Sequence, residues 1–171
     1  MARDDAAILA RIRQALAEPK RLLLPVAWRT GQRPDKLVLA ALCQSRTIGV
    51  QLHGRAHPHR PDEDVSFQLC LDEPDETWPV ARIDWRPVSP HTNRMPDAFR
   101  GTTVWDSGLH PFEENAVHGL TAMKAKNLPV CRPLLPEPAS YADALAAVSA
   151  TLNIVNANAL PVPPWSPRLF P

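Results

Sequence analysis

Glycine, tyrosine and paired cysteines are scarce in this chain of 171 residues. Its six glycines form no phosphate-binding loop or dinucleotide fingerprint, and no Gly-x-Ser-x-Gly motif occurs, which argues against nucleotide-dependent enzymes and serine hydrolases. Cys43, Cys70 and Cys131 lie far apart without Cys-x-x-Cys spacing, so neither a disulfide framework nor a zinc knuckle is expected. Each cysteine is predicted to be a small buried apolar side chain.

The chain also lacks a strong net charge and a long apolar run. Its 19 basic and 18 acidic residues give a formal charge of +1, so a nucleic acid or anionic membrane would have to be met by a local patch. No apolar run approaches the roughly 18 residues that a membrane span requires, and the acidic start does not resemble a secretory leader. We therefore expect a cytoplasmic protein with no membrane partner.

Proline, in contrast, is abundant, with 20 residues in the chain. Because proline fixes φ and removes a backbone donor, this content predicts many fixed bends and few long central strands. The length and the 44% apolar content predict a single domain over residues 1–171. The richness in alanine and arginine is typical of genomes rich in G and C and indicates a bacterial source.

Hydrophobic periodicity and capping residues predict two helices. The first lies within an N-terminal region, residues 1–20, where Asp4 or Asp5 provides the cap. The second begins after the cap Ser140 and reaches Leu152, with apolar residues at helical spacing. Both helices are expected to cover the same sheet.

Alternating apolar side chains between the helices predict strands. The four clearest segments are 36–43, 47–53, 65–71 and 78–85. Shorter apolar stretches elsewhere extend this to an antiparallel meander of four to six strands, and the whole is an α+β fold. The proline-rich tail, residues 158–171, is predicted to be extended and to lie along the body of the protein.

Residues 83–118 concentrate side chains that can move protons or bind anions. His91 and His110 could exchange protons near neutral pH from opposite sides of a scissile bond, with Asn93 orienting one of them. Arginine side chains would hold a phosphate and stabilise developing charge, and the candidates are Arg86, Arg94 and Arg100. This set predicts cleavage of RNA by its own 2′-hydroxyl, with no metal and no cofactor.

The same residues have two other interpretations. The histidines and Asn93 could pin irregular loops by hydrogen bonds to backbone carbonyls. Alternatively, His110, Glu114 and His118 are metal-ligand types that a helix beginning at Pro111 would bring towards one face. The spacing is not His-Glu-x-x-His and no second cluster completes it, so the predicted site contains no metal ligand.

A second histidine cluster comprises His53, His57 and His59, in a loop with two arginines. It could meet phosphate or hold a weakly bound divalent cation. The acidic residues 62–64 follow directly and offset its charge. A solvated hairpin loop is therefore the favoured interpretation.

Aromatic residues are few, and tryptophan is the commonest of them. Exposed aromatic rings can stack on nucleic-acid bases. With only one tyrosine and four phenylalanines elsewhere, however, the five tryptophans are predicted to fill the core.

Roughly the C-terminal half contains four short motifs: Asp84-Trp85-x-Pro87-x-x-Pro90-His91-x-Asn93, Leu109-His110, Asn153-Ile154 and the closing Leu169-Phe170. Together they resemble a family of small bacterial proteins of unknown function. That family has a Pro-His-x-Asn element, a second histidine motif, and a helix followed by Asn-Ile and Leu-Phe. This chain has Phe112 where a second histidine would follow His110. The resemblance implies toxin–antitoxin or phage-conflict loci and a site at the two histidines and Asn93, without implying a reaction.

Two functions follow from these patterns. The first is a small bacterial effector acting on nucleic acid, a metal-independent ribonuclease of toxin type. The second is a non-catalytic protein (an antitoxin, an immunity factor or a phage-conflict inhibitor) that binds a partner through its proline-rich tail or an apolar face. The ribonuclease requires His91 and His110 to line one cleft, beside an arginine and with room for a phosphate between them.

Overall fold

The computed structural model describes residues 4–94 and 100–166. Its helices are α1 (Asp5–Ala17), α2 (Phe112–Ala116), α3 (Leu120–Ala125) and α4 (Tyr141–Leu152), with a 3-10 turn at Ala157–Ala159. Its strands are β1 (Arg21–Leu22), β2 (Arg29–Thr30), β3 (Leu37–Gln44), β4 (Gly49–Ala56), β5 (Val65–Asp72), β6 (Thr77–Trp85), β7 (His91–Thr92), β8 (Thr103–Val104), β9 (Gly108–His110) and β10 (Arg132–Pro133). The predicted α+β class, with a helix near each end, is confirmed.

The two long helices start where their capping residues predict. The Asp4 carboxylate accepts a hydrogen bond from the Ala7 backbone N–H at 3.0 Å, which caps α1. The Ser140 hydroxyl accepts one from the Asp143 N–H at 3.2 Å, which caps α4. At the other end of α4, Asn153 adopts the left-handed conformation with φ of 53°, as is common after a last helical turn.

The four long strands, β3 to β6, form the predicted antiparallel meander. The sheet continues on both sides in the order β1-β3-β4-β5-β6-β9-β10, with β2 also paired to β3, and β7 and β8 form a separate pair. Strands β9 and β10 were not predicted, because segments of three and two residues are too short to show alternation. Pro133 in β10 is tolerated because this strand is at the sheet edge.

One face of the sheet and the two long helices enclose the core. The Phe67 ring centroid lies 6.3 Å from those of both Trp28 and Tyr141, so aromatic rings from β5, from α4 and from the segment before β2 meet there. Trp78 and Trp85 are also buried, whereas Trp105 is 71% exposed, so the prediction that the tryptophans fill the core is wrong for that residue. Trp105 lies just beyond the short strand β8 and outside the buried cluster. All three cysteines are free and buried, as predicted.

The other face of β3 to β6 remains partly or fully in contact with solvent, and we call it the open face. Its side chains are Val38, Ala40, Leu42, Gln51, His53, Arg55, Ser66, Gln68, Arg82 and Asp84. Strand β9 extends this face, because its residue His110 pairs with Arg82 and its residue Gly108 pairs with Asp84. The strand register therefore places His110 beside the charged end of the open face.

The chain after α4 returns along the body of the protein. Trp28 Nε1–H and the Tyr141 hydroxyl both donate hydrogen bonds to the Pro161 carbonyl, at 2.8 and 3.0 Å. The Ser166 N–H donates to the Pro58 carbonyl at 2.7 Å. The last five positions of the predicted tail, 167–171, lie outside the described residues. Within the described part of the chain, every helix is too short or too polar to cross a bilayer.

Candidate functional site

The tertiary structure brings His91 and His110 into direct contact. His110 ends β9 in the main sheet, and His91 begins β7 in the small two-stranded sheet. Their ring centroids are 4.8 Å apart and their planes are nearly perpendicular, at 86°. The two imidazoles therefore pack edge to face, which sequence spacing alone could not establish.

His110 is completely buried, and its ring is surrounded by polar groups. Nδ1 lies 2.7 Å from the Leu128 carbonyl oxygen, while Nε2 lies 2.7 Å from Arg82 Nη2 and 3.0 Å from Asp84 Oδ2. A carbonyl can only accept, so Nδ1 carries the proton that binds Leu128, and Nε2 accepts from Arg82. Burial lowers the pKa of His110, and its contact with Asp84 does not overcome this. The ring is therefore neutral at pH 7.

Arg82 binds both Asp84 and His110. Its Nε–H donates to Asp84 Oδ2 at 3.1 Å, and its Nη1–H donates to the Asn127 carbonyl at 3.0 Å. Burial alone would raise the pKa of Asp84, but the neighbouring His110 and the charge of Arg82 together lower that pKa below its ordinary value. Asp84 is therefore an ionised carboxylate that cannot act as a proton donor at neutral pH.

Both histidines bind the backbone of one irregular segment, residues 128–131, which we call the clamped segment. His110 Nδ1–H donates to the Leu128 carbonyl, and His91 Nε2 lies 2.9 Å from the next carbonyl, that of Pro129. These contacts are the hydrogen bonds to carbonyls that the loop-pinning interpretation expects. They use one ring nitrogen of each histidine.

Two asparagines complete the clamped segment. Asn93 accepts from the Cys131 N–H and donates to the Cys131 carbonyl, each at 2.7 Å. Asn115 accepts from the Val130 N–H at 2.7 Å and donates to its carbonyl at 3.0 Å. Asn93 thus uses both side-chain polar atoms on the backbone instead of on an imidazole. Asn115 was not identified from the sequence, and no local pattern distinguishes it from a turn asparagine.

The histidine pair lacks the space that the predicted cleavage mechanism requires. At 4.8 Å between centroids, the rings of His91 and His110 touch, so no phosphate fits between them. His110 is also 0% exposed. His91 is only partly buried, and it lines a small cavity of about 110 Å³ together with Asp84. His91 therefore lines this cavity, whereas the buried His110 does not.

Of the three predicted phosphate-binding arginines, Arg86 makes its contacts elsewhere. The Arg86 guanidinium is 5.2 Å from the Trp85 ring centroid, and it donates to the Ala139 carbonyl at 2.9 Å. Arg94 and Arg100 are exposed at the two ends of residues 95–99, which lie outside the described part. The arginine beside the histidines is Arg82 instead. The alternation of β6, which puts positions 82 and 84 on one face, is the sequence signal that could have identified it.

Neither histidine-containing cluster forms a metal site in residues 4–94 and 100–166, where no group of three or more His, Cys, Asp or Glu side chains is placed to hold an ion. Glu114 forms an ion pair with Arg132 at 3.1 Å instead of approaching His110. In the other cluster, His53 lies within β4, where it contacts Gln51 at 3.0 Å. The loop that carries the other two histidines is a local turn in which the His57 ring accepts from the His59 N–H.

Two adjoining grooves lie on the open face of the sheet. The first, which we call the cationic groove, has a volume of about 450 Å³ and begins next to Asp84. Its charged lining consists of Lys36, Arg55, Arg60 and Arg82 together with Asp35, Asp64 and Asp84. Arg82 and Asp84 already form an ion pair. Among the described residues, Lys36, Arg55 and Arg60 have no ion-pair partner within 4.0 Å.

The second groove, which we call the amphipathic groove, has a volume of about 730 Å³. One side is largely apolar and is formed by Pro25, Val26, Ala27, Val38 and Ala40, with Arg29 beside Val38 at its end. The other side is polar and is formed by His53, Ser66, Gln68 and Asn127. The two grooves share Arg55 and Ser66, so they form one continuous surface.

The neutral, buried state of His110 predicts acid destabilisation. Its pKa is lowered in the folded protein, whereas the unfolded chain titrates at about 6.5, so the stabilisation is complete above that pH and is lost as pH falls. Denaturant unfolding of the native protein should show a falling free energy of unfolding between about pH 7 and pH 5. A His110→Gln variant should show a flatter dependence, while His59→Gln, in the exposed loop, should keep the native slope. Parallel profiles for the native protein and His110→Gln would contradict this assignment.

Comparisons with models of protein families, with curated proteins and with solved structures found no match. The resemblance to small bacterial proteins with a Pro-His-x-Asn element therefore stays a prediction. The geometry of the open face and of the histidine cluster is the basis for the function proposed below.

Proposed function

We propose that the protein is a nucleic-acid-binding effector that holds a short single-stranded RNA on the open face of its sheet. The observation that carries this proposal is the cationic groove. There Lys36, Arg55 and Arg60 line one concavity without an ion-pair partner among the described residues. Phosphate groups are the natural counter-charge for such a set, because backbone phosphates provide most of the affinity in nucleic-acid binding.

The net charge of the cationic groove is small, as is the net charge of the whole chain. After the Arg82–Asp84 ion pair is set aside, three cations face two acids, Asp35 and Asp64. The groove is therefore only modestly basic, and binding should be moderate in affinity and sensitive to salt. This is the local patch that a chain of net charge +1 requires for a polyanionic partner.

Cleavage of the bound RNA belongs to the same proposal, with a changed pair of residues. His91 and Asp84 line the small cavity that adjoins the cationic groove, and the two cavities share Asp84 and Pro87. Asp84 is ionised and could accept a proton from a 2′-hydroxyl, while His91 would protonate the leaving oxygen. His110 would hold the clamped segment in place without touching RNA.

The binding step is tested with a labelled single-stranded RNA of about 12 nucleotides, using fluorescence anisotropy. The double variant Arg55→Gln/Arg60→Gln should lose about tenfold or more in affinity at low salt, and its salt dependence should be shallower by about 1.4 in log K per log salt. The matched control is Arg21→Gln/Arg46→Gln, two exposed arginines outside both grooves. Equal losses in the two double variants would refute a specific groove.

Cleavage is read from the same mixtures on a denaturing gel, in the presence of a chelator. The native protein should shorten the RNA, and His91→Ala should bind it and leave it intact. Binding without shortening in the native protein would limit the function to binding.

A second candidate, a non-catalytic protein that binds a protein partner, is favoured by one separate surface. Trp105 and Val88 are 71% and 51% exposed, and they line a shallow cavity of about 240 Å³. Exposed tryptophan is typical of binding hot spots. If the native protein binds no RNA at low salt, this surface becomes the better starting point.

A further inference from the structure

We infer that the amphipathic groove is a nucleotide site, in which a purine base lies against the apolar side and Arg55 contacts the attached phosphate. This inference rests on the proposed RNA binding and specifies how one nucleotide of the strand is held. It also applies to a free mononucleotide, which provides an independent probe.

The apolar side of the groove suits the flat face of a base. Val38 and Ala40 are exposed alternate residues of β3, and the segment from Pro25 to Ala27 faces them. A strand surface with small side chains leaves a flat area, and covering it with an aromatic ring removes apolar surface of both partners from water. Apart from Arg29, which pairs with Val38 at the end of this side, the polar lining groups lie on the opposite side, so the groove is asymmetric in the way that a base is.

The polar side suits the hydrogen-bonding edge of a base. Gln68 donates through Nε2 to Cys70 Sγ at 3.5 Å, a weak contact that leaves its Oε1 available as an acceptor. Asn127 adds a second side-chain amide, since only its backbone carbonyl is used by Arg82. Amide side chains pair with the donor and acceptor combination at the edge of adenine, so we assign the site to an adenine nucleotide.

The strand register sets the distance between the base site and the phosphate site. Ala40, His53 and Gln68 form one cross-strand row, which is the base row. Arg55 belongs to the next row on the same face, beside Ser66. Rows on one face are separated by two residues, or about 7 Å, so a single nucleotide can reach both. Arg55 lines both grooves, so an RNA chain bound at the base row can continue past Arg55 into the cationic groove.

The test measures binding of adenosine monophosphate, adenosine and inorganic phosphate to the full chain by isothermal titration calorimetry. We expect the monophosphate to bind more tightly than either fragment. Ala40→Phe should lower that affinity about tenfold, because the new ring fills the groove from an exposed strand position. Leu42→Phe is the matched control, since it lies on the same strand and face outside the groove lining, and it should bind like the native protein. Arg55→Gln should reduce the monophosphate to the affinity of adenosine.

The outcomes separate this inference from the proposed function. If RNA binding requires Arg55 and Arg60 but Ala40→Phe binds the monophosphate and RNA normally, the nucleotide site is refuted and RNA binding stands. If the monophosphate binds as expected and RNA does not, the site stands and the proposed function fails. Equal losses in Ala40→Phe and Leu42→Phe would refute the site. Should Ala40→Phe fail to fold, Gln68→Leu provides the second variant, with the same expected loss.

Discussion

Replacing Asn93 with alanine should lower the free energy of unfolding by about 4 kcal/mol, the largest effect that we expect from one substitution outside the apolar core. The side chain is 1% exposed, and it binds both the N–H and the carbonyl of Cys131 at 2.7 Å. Alanine would leave both backbone groups buried without a partner, and each such group costs about 1–3 kcal/mol. Chemical denaturation of the two proteins measures the difference directly.

The control for this prediction is Asn158→Ala, the same change at an exposed position of the 3-10 turn. It should change the free energy of unfolding by less than about 0.5 kcal/mol. RNA binding provides the second readout, because the folded fraction of Asn93→Ala should bind RNA like the native protein. A stable Asn93→Ala variant that has lost cleavage would instead support the orienting role predicted from the sequence.

Replacing Arg82 with methionine should lower the free energy of unfolding by about 3 kcal/mol. The guanidinium donates to Asp84, to His110 and to the Asn127 carbonyl, so its removal leaves a largely buried carboxylate next to a neutral ring. Methionine retains the apolar length of the side chain, and the loss therefore reports on the charge and the hydrogen bonds.

A double-mutant cycle tests whether the unpaired charge is the cause. Asp84→Asn in the Arg82→Met background removes the uncompensated carboxylate, so the double variant should be more stable than Arg82→Met alone. Additive losses from the two substitutions would show that the ion pair contributes little. In that case the hydrogen bond from Arg82 to the Asn127 carbonyl would account for the effect.

In both predictions, the polar side chains of residues 83–118 act mainly by stabilising the fold. Residues 128–131 have no regular hydrogen-bonding partner strand along their full length, and buried backbone polar groups must be paired. Side chains from β7, from the turn after it, from β9 and from α2 supply these partners. The clamped segment in turn supplies the carbonyls that bind the two histidines, and Asn127, the residue before it, supplies the carbonyl that binds Arg82.

The elements that could be predicted are those with local causes. The caps Asp4 and Ser140, the helical spacing of apolar residues and the alternation along β3, β4 and the first half of β5 are properties of adjacent residues, and the structure contains all of them. Strands β9 and β10 carry no such signal, and they exist because β6 offers a free edge. Trp105 was misplaced for a similar reason, since composition cannot show which tryptophan lies beyond the core.

The sequence by itself determined the α+β class, the two long helices and the four-stranded meander, and it singled out His91, Asn93 and His110 as candidate site residues. The tertiary structure decided what those three residues do, because their partners lie in the distant segment 128–131 and a side chain's chemistry depends on what surrounds it. It also decided that His110 is buried and neutral, and that the open face has one cationic and one amphipathic groove. The burial of His110 and the positions of the two grooves follow from strand register, which only pairing between distant segments can set.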